Sequence, residues 1–116
     1  MYHLRIEIPG LPALQSGAFG HWSARRRHDN RWKQLVAFEV RGQGPIESLK
    51  RAFVVCTRFS CARSSPDRDN LVASFKPLID SLQGTVIWDD SPEHMTAEYH
   101  WEKCPRGEGR VVIEVS

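Results

Sequence analysis

Hydrophobic and polar positions alternate strictly at the start of the chain. Residues 2–8 read Tyr-His-Leu-Arg-Ile-Glu-Ile and put Leu4, Ile6 and Ile8 on one face, the pattern of a half-buried strand. Pro9-Gly10-Leu11-Pro12 ends it, and residues 13–22, with Gly17 and Gly20 among small residues, read as a loop. The period then becomes helical. Ser23 is placed to cap a helix reaching about residue 41, with Trp32, Val36 and Val40 on one stripe joined by Leu35. Gly42-Gln43-Gly44-Pro45 closes it. Residues 51–59 are β-rich and predict a second strand. A loop at 60–66 leads to a helix over about 70–82, capped by Asp67 or Asp69, with Leu71, Phe75, Leu78, Ile79 and Leu82 on its apolar face. Pro77 should kink that helix or split it in two. After Gln83-Gly84, Thr85-Val86-Ile87-Trp88 is a short strand or a buried turn, broken by Asp89-Asp90-Ser91-Pro92. Residues 95–102 and 110–115 read as a closing hairpin across Cys104-Pro105-Arg106-Gly107-Glu108-Gly109. No linker, repeat or low-complexity tract interrupts this order, which predicts a mixed α/β or α+β domain over residues 1–116.

Composition narrows the class. With 116 residues, 41% of them hydrophobic, the chain can bury one modest core. No run approaches the roughly 20 apolar residues of a membrane span, and residues 1–10 lack the apolar centre of a signal peptide. Cys56, Cys61 and Cys104 are odd in number and form no CxxC, so a disulfide framework is not expected and an intracellular, cytoplasmic setting fits best. His21, His28, His94 and His100 follow no zinc spacing. Residues 1–63 carry eleven Lys/Arg against four Asp/Glu, a net of +7, whereas residues 64–116 carry five against ten, a net of −5. A basic half beside an acidic half suits an enzyme that holds phosphates on one side and a metal on the other.

The acidic side is concentrated in Pro66-Asp67-Arg68-Asp69-Asn70-Leu71 and Asp89-Asp90. Asp67 and Asp69, two apart on an extended approach to a helix, can share a face. One helix and a return turn could bring Asp90 to them. Converging carboxylates repel and desolvate poorly, so a divalent cation is the simplest reason to gather them, and hard oxygen donors suit Mg²⁺ or Mn²⁺. On the basic side, Arg25, Arg26, Arg27 and Arg31 crowd the first turns of the first helix, where acidic side chains are normally favoured. With Lys33 they are candidates for a DNA backbone. Arg58, Arg63 and Arg68 flank the acidic motif and are placed for phosphates too. Trp22 and Trp32 are expected to be core or dimer contacts.

These residues carry a resemblance. Pro66-Asp67-Arg68-Asp69-Asn70-Leu71, then Lys76, Ile79-Asp80-Ser81-Leu82 and Gly84, then Trp88-Asp89-Asp90-Ser91, look like the RusA family of Holliday junction resolvases, most clearly over residues 64–96. The resemblance implies an α+β fold, a small mixed sheet packed against two main helices. It also implies a homodimeric, Mg²⁺-dependent endonuclease that nicks four-way DNA junctions symmetrically, of bacterial or phage origin, acting in DNA recombination and repair. Asp67, Asp69 and Asp90 would be the essential metal-binding carboxylates and Asp89 a neighbour of lesser weight. The family places a lysine four residues after the second motif aspartate; here that position is Ala73. Lys76, three residues further on, shares that helix face and is expected to replace it. Gln15-Ser16-Gly17 stands where the family often has an Asn, a second departure. The alternatives are a nuclease on other branched DNA, such as flaps or forks, and a catalytically inactive relative that only binds branched DNA.

Overall fold

The computed structural model describes residues 2–14 and 21–116. Six elements follow in the order β1 (Leu4–Pro9), α1 (Trp22–Gly42), β2 (Ala52–Ser60), α2 (Arg68–Leu82), β3 (Met95–Lys103) and β4 (Arg110–Val115). They form an α+β fold with one four-stranded mixed sheet in the order β1-β4-β2-β3. β4 runs antiparallel to both β1 and β2, while β2 and β3 are parallel. Two parallel strands need a long crossover between them, and α2 supplies it.

One sheet face carries the core. Leu4, Ile6 and Ile8 of β1 pair with Val115, Ile113 and Val111 of β4, and Val54 and Cys56 of β2 continue the same layer, all buried. From the helices, Trp32 and Val36 of α1 and Leu71, Phe75, Leu78, Ile79 and Leu82 of α2 close over it. Each large side chain fully buried in this way contributes roughly 1.5–3 kcal/mol. The alternation in β1 and the helical stripes of both helices therefore sit where their periods predicted.

Several expectations are corrected. Residues 95–103 and 110–115 do not form a hairpin, because β2 lies between them. Residues 104–109 arch over the end of β2, where the Cys104 amide donates to the Ser60 carbonyl at 3.0 Å, and Gly107 at φ +86° makes the turn. β2 takes the inner position because its Ala-Phe-Val-Val-Cys run is apolar on both faces, whereas the alternating β3 suits an edge. Pro77 does not split α2, which is continuous from Arg68 to Leu82. Its missing N–H leaves the Ala73 carbonyl without a helical donor, but Ala73 is exposed, so water can serve that carbonyl while the proline ring packs inward. His21, not Ser23, is the cap of α1, its Nδ1 accepting from the Ser23 amide at 3.2 Å. Of the two readings for residues 85–88, a short strand or a buried turn, the buried turn holds: the chain turns over 84–86, and Ile87 makes only isolated bridges to Leu49 and Gln83. The Leu49 amide donates to the Val86 carbonyl and the Trp88 amide to the Leu49 carbonyl, so Val86 and Ile87 are fully buried beneath it. The departure at Gln15-Ser16-Gly17, and most of the loop that contains it, lies outside the described residues.

Candidate functional site

The two helices lie side by side and run in the same direction. The Ser81 hydroxyl near the end of α2 donates to the Lys33 carbonyl in the middle of α1 at 2.8 Å. Eight residues upstream on both helices, Ala73 and Arg25 line one cleft. This shared offset brings the basic start of α1 and the acidic start of α2 to the same end of the molecule. The first turn of α1 holds no acidic residue, and that of α2 holds Asp69. Two helix N-termini thus add their partial positive charge at this end.

Asp67 occupies the cap position of α2, yet its side chain makes no capping hydrogen bond. Asp67 and Asp69 are both exposed. Neither carboxylate takes part in a hydrogen bond or ion pair among the described residues. Their oxygens are thus uncommitted, which is unusual for a carboxylate at a cap. Asp69, Lys76 and Asp80 follow at helical spacings along one stripe of α2. Lys76 Nζ reaches both Asp80 Oδ1 and Asp90 Oδ2 at 3.0 Å, and these two hydrogen bonds raise its pKa.

Asp89 and Asp90 part company despite being adjacent. Asp89 Oδ1 accepts from the Ser91 amide at 2.8 Å, and Ser91 holds its pKa below the usual carboxylate value. Its other oxygen is 3.9 Å from His94 Nε2, while His94 Nδ1 donates to the Lys50 carbonyl at 2.8 Å. Asp89 and His94 therefore hold the turn together. Asp90 faces the other way, into a cleft of about 260 Å³ that it shares with Arg25, Ala73, Lys76, Met95 and Tyr99. Ala73 is one helical turn from Asp69, so one wall of the cleft lies a turn from the DxD motif, although neither Asp67 nor Asp69 lines it. Lys76 and Ala73 line it together.

The donors have the hard-oxygen chemistry that Mg²⁺ prefers. Among the described residues, however, no three acids, histidines or cysteines stand close enough together to hold an ion as they are. The carboxylates match such an ion in kind; Asp90 is paired to Lys76 instead of to the other two.

The basic residues divide among different surroundings. Arg25 lines the cleft and also pairs with Asp29 at 3.7 Å. Arg27 and Arg31 line a separate groove of about 450 Å³ against Pro9, Gly10 and Trp32. Arg26, Arg63 and Arg68 are exposed, and Lys33 is half-buried. Arg58 does not belong with them. It is 6% exposed on the core side of β2, donates to the Pro12 carbonyl at 2.6 Å, and burial lowers its pKa. Its even position in a strand whose even residues face the helices explains this. Trp32 is buried as expected; Trp22, 68% exposed and stacked on His21, is not a core residue.

Tyr99 and Met95 were not among the sequence candidates. Both lie on the helix-facing side of β3, which the parallel register with Cys56 and Ala52 sets beside α2. The alternation of β3 was a usable signal, but the partner strand was not. Burial raises the pKa of Tyr99, with Cys56 adding to it and Lys76 opposing it. Compared with protein-family models and with curated proteins, the sequence finds no match. Among the described residues no helix is long and apolar enough to cross a membrane.

Proposed function

We propose that this protein is a metal-dependent endodeoxyribonuclease of the RusA type, acting on four-way DNA junctions as a homodimer. The observation that carries the reading is the cleft in which Asp90 meets Lys76 beside Arg25, two helical turns from Asp69 along α2, with Ala73 in its wall one turn from Asp69. Asp67, Asp69 and Asp90 would hold Mg²⁺, or Mn²⁺ in its place. Such an ion, when bound, activates water and offsets charge on the phosphate. The chain's own residues do the rest. Lys76 stays protonated and can hold a non-bridging phosphate oxygen against the repulsion of the carboxylates. Arg25 can hold the adjoining backbone, and Arg26, Arg27, Arg31, Lys33, Arg63 and Arg68 supply sequence-independent phosphate contacts. A four-way junction presents two related strands, which a two-fold dimer matches with one site on each.

Ala73, together with the Lys76–Asp90 pair, favours a second reading: a relative that binds branched DNA without cutting it. The experiment that separates them is cleavage of a labelled four-way junction in Mg²⁺, beside linear duplex and flap controls, for wild type and Asp69→Asn. Paired nicks that vanish in the variant, with binding retained, support the nuclease. Tight binding with no cutting in Mg²⁺ or Mn²⁺ supports the second reading, and neither binding nor cutting rejects both.

A further inference from the structure

The Tyr99 hydroxyl is the side-chain polar group lining this cleft that has no partner among the described residues. Its ring is fixed: it sits mid-strand in β3, in register with buried Cys56, and packs on fully buried Phe75 with ring centroids 5.9 Å apart. Its edge lines the same cleft as Arg25, Lys76 and Asp90. Yet its hydroxyl makes no hydrogen bond among the described residues. The hydroxyl is not sealed from water, so it stands open to a partner that enters the cleft. Other half-buried polar groups nearby are served: the Trp101 indole donates to Ser60 at 2.8 Å, and the Ser81 hydroxyl to Lys33. The cleft around Tyr99 is also mixed in character. Two cations stand on its rim, and Val72, Ile79 and Met95 form its apolar walls.

We propose that this cleft binds a phosphodiester, and that the Tyr99 hydroxyl donates a hydrogen bond to one of its non-bridging oxygens beside Lys76 and Arg25. This rests on the nuclease reading for its consequence in catalysis, but the contact itself does not require cutting. A donor on a strand locked by packing is held in place before the ligand arrives, which is what makes such a bond effective. Phenylalanine in its place keeps the ring contact with Phe75 and removes only the donor.

The chain has two tyrosines, Tyr2 and Tyr99, so ring-labelled tyrosine gives two NMR signals, assigned with Tyr2→Phe. Dithymidine monophosphate titrated in the presence of Ca²⁺ should move the Tyr99 signal saturably and leave Tyr2 in place. In parallel, Tyr99→Phe should slow single-turnover junction cleavage about 10- to 100-fold with an unchanged melting temperature. A Tyr99 signal that stays still while the wild type cuts DNA overturns the inference and leaves the nuclease reading standing. A signal that moves in a protein that cuts nothing removes the nuclease reading and keeps the phosphodiester contact. Cleavage by Tyr99→Phe at the wild-type rate rules out the hydroxyl as a donor.

Discussion

Replacing Lys76 with alanine should separate catalysis from stability. Lys76 makes two ion pairs at 3.0 Å, but its side chain is 60% exposed and that of Asp90 is 37% exposed. Solvent screens such pairs to about 0.2–1 kcal/mol each. Lysine and alanine are both good helix formers, so propensity adds little. Lys76→Ala should therefore cost roughly 1 kcal/mol, a fall in melting temperature of about 5 °C for a domain this size. Its pKa is raised in the fold, so this contribution is fully present below the ordinary lysine value of 10.5 and fades only as pH rises through the higher folded value. On the nuclease reading the same ammonium would face the charge that develops on the phosphate, and losing one such group costs about 10²–10³ in rate. Single-turnover cleavage of a four-way junction and a thermal melt on the same samples give both numbers. Adding Ala73→Lys to Lys76→Ala should recover at least about tenfold, because positions 73 and 76 line one cleft a single turn apart. Wild-type cleavage by Lys76→Ala would refute the assigned role. A loss of more than about 3 kcal/mol would refute the view that its ion pairs are surface pairs.

Two further changes test other parts of the molecule. Arg58→Ala removes a buried side chain and its 2.6 Å bond to the Pro12 carbonyl, and should lower stability by about 2–4 kcal/mol in urea unfolding while leaving junction contacts alone. A loss below about 0.5 kcal/mol would mean the bond anchors nothing. Arg27→Ala with Arg31→Ala should weaken junction binding and reduce the slope of log K against log salt by about two, one for each lost phosphate contact. An unchanged slope would place DNA elsewhere.

The sequence was most legible where one element decides the outcome. Leu4, Ile6 and Ile8 show their face by alternation, and Leu71, Phe75, Leu78, Ile79 and Leu82 show theirs by helical spacing. It was least legible where two distant elements must agree. Nothing local in residues 95–115 says that β2 will insert between β3 and β4; only the two-sided apolar run of β2 hints that it needs an inner place. Arg58 illustrates the same limit. Beside an acidic motif it reads as a surface cation, yet its parity within β2 sends it inward, and the Pro12 carbonyl that receives it lies 46 residues away. Tyr99 entered the site through a parallel register that no local pattern encodes.

The acidic constellation lies between these cases, and the reason is electrostatic. Its members were readable because four carboxylates in two short strings are costly unless something uses them. Their arrangement was not, since like charges spread apart unless a counterion gathers them. In this structure Asp90 has Lys76 as that counterion, and Asp67 and Asp69 have none among the described residues. The Lys76–Asp90 pair is half-exposed, so it holds Asp90 by no more than about 1 kcal/mol. Binding of a divalent ion to several carboxylates commonly exceeds that and draws its ligands together as it binds. Lys76 need not leave when that happens: it also reaches Asp80, so it can release Asp90 and keep an anionic partner within the same helix. On the nuclease reading proposed above, Lys76, three residues beyond position 73, would neutralise Asp90 before a substrate arrives and then exchange Asp90 for a phosphate oxygen while it keeps Asp80.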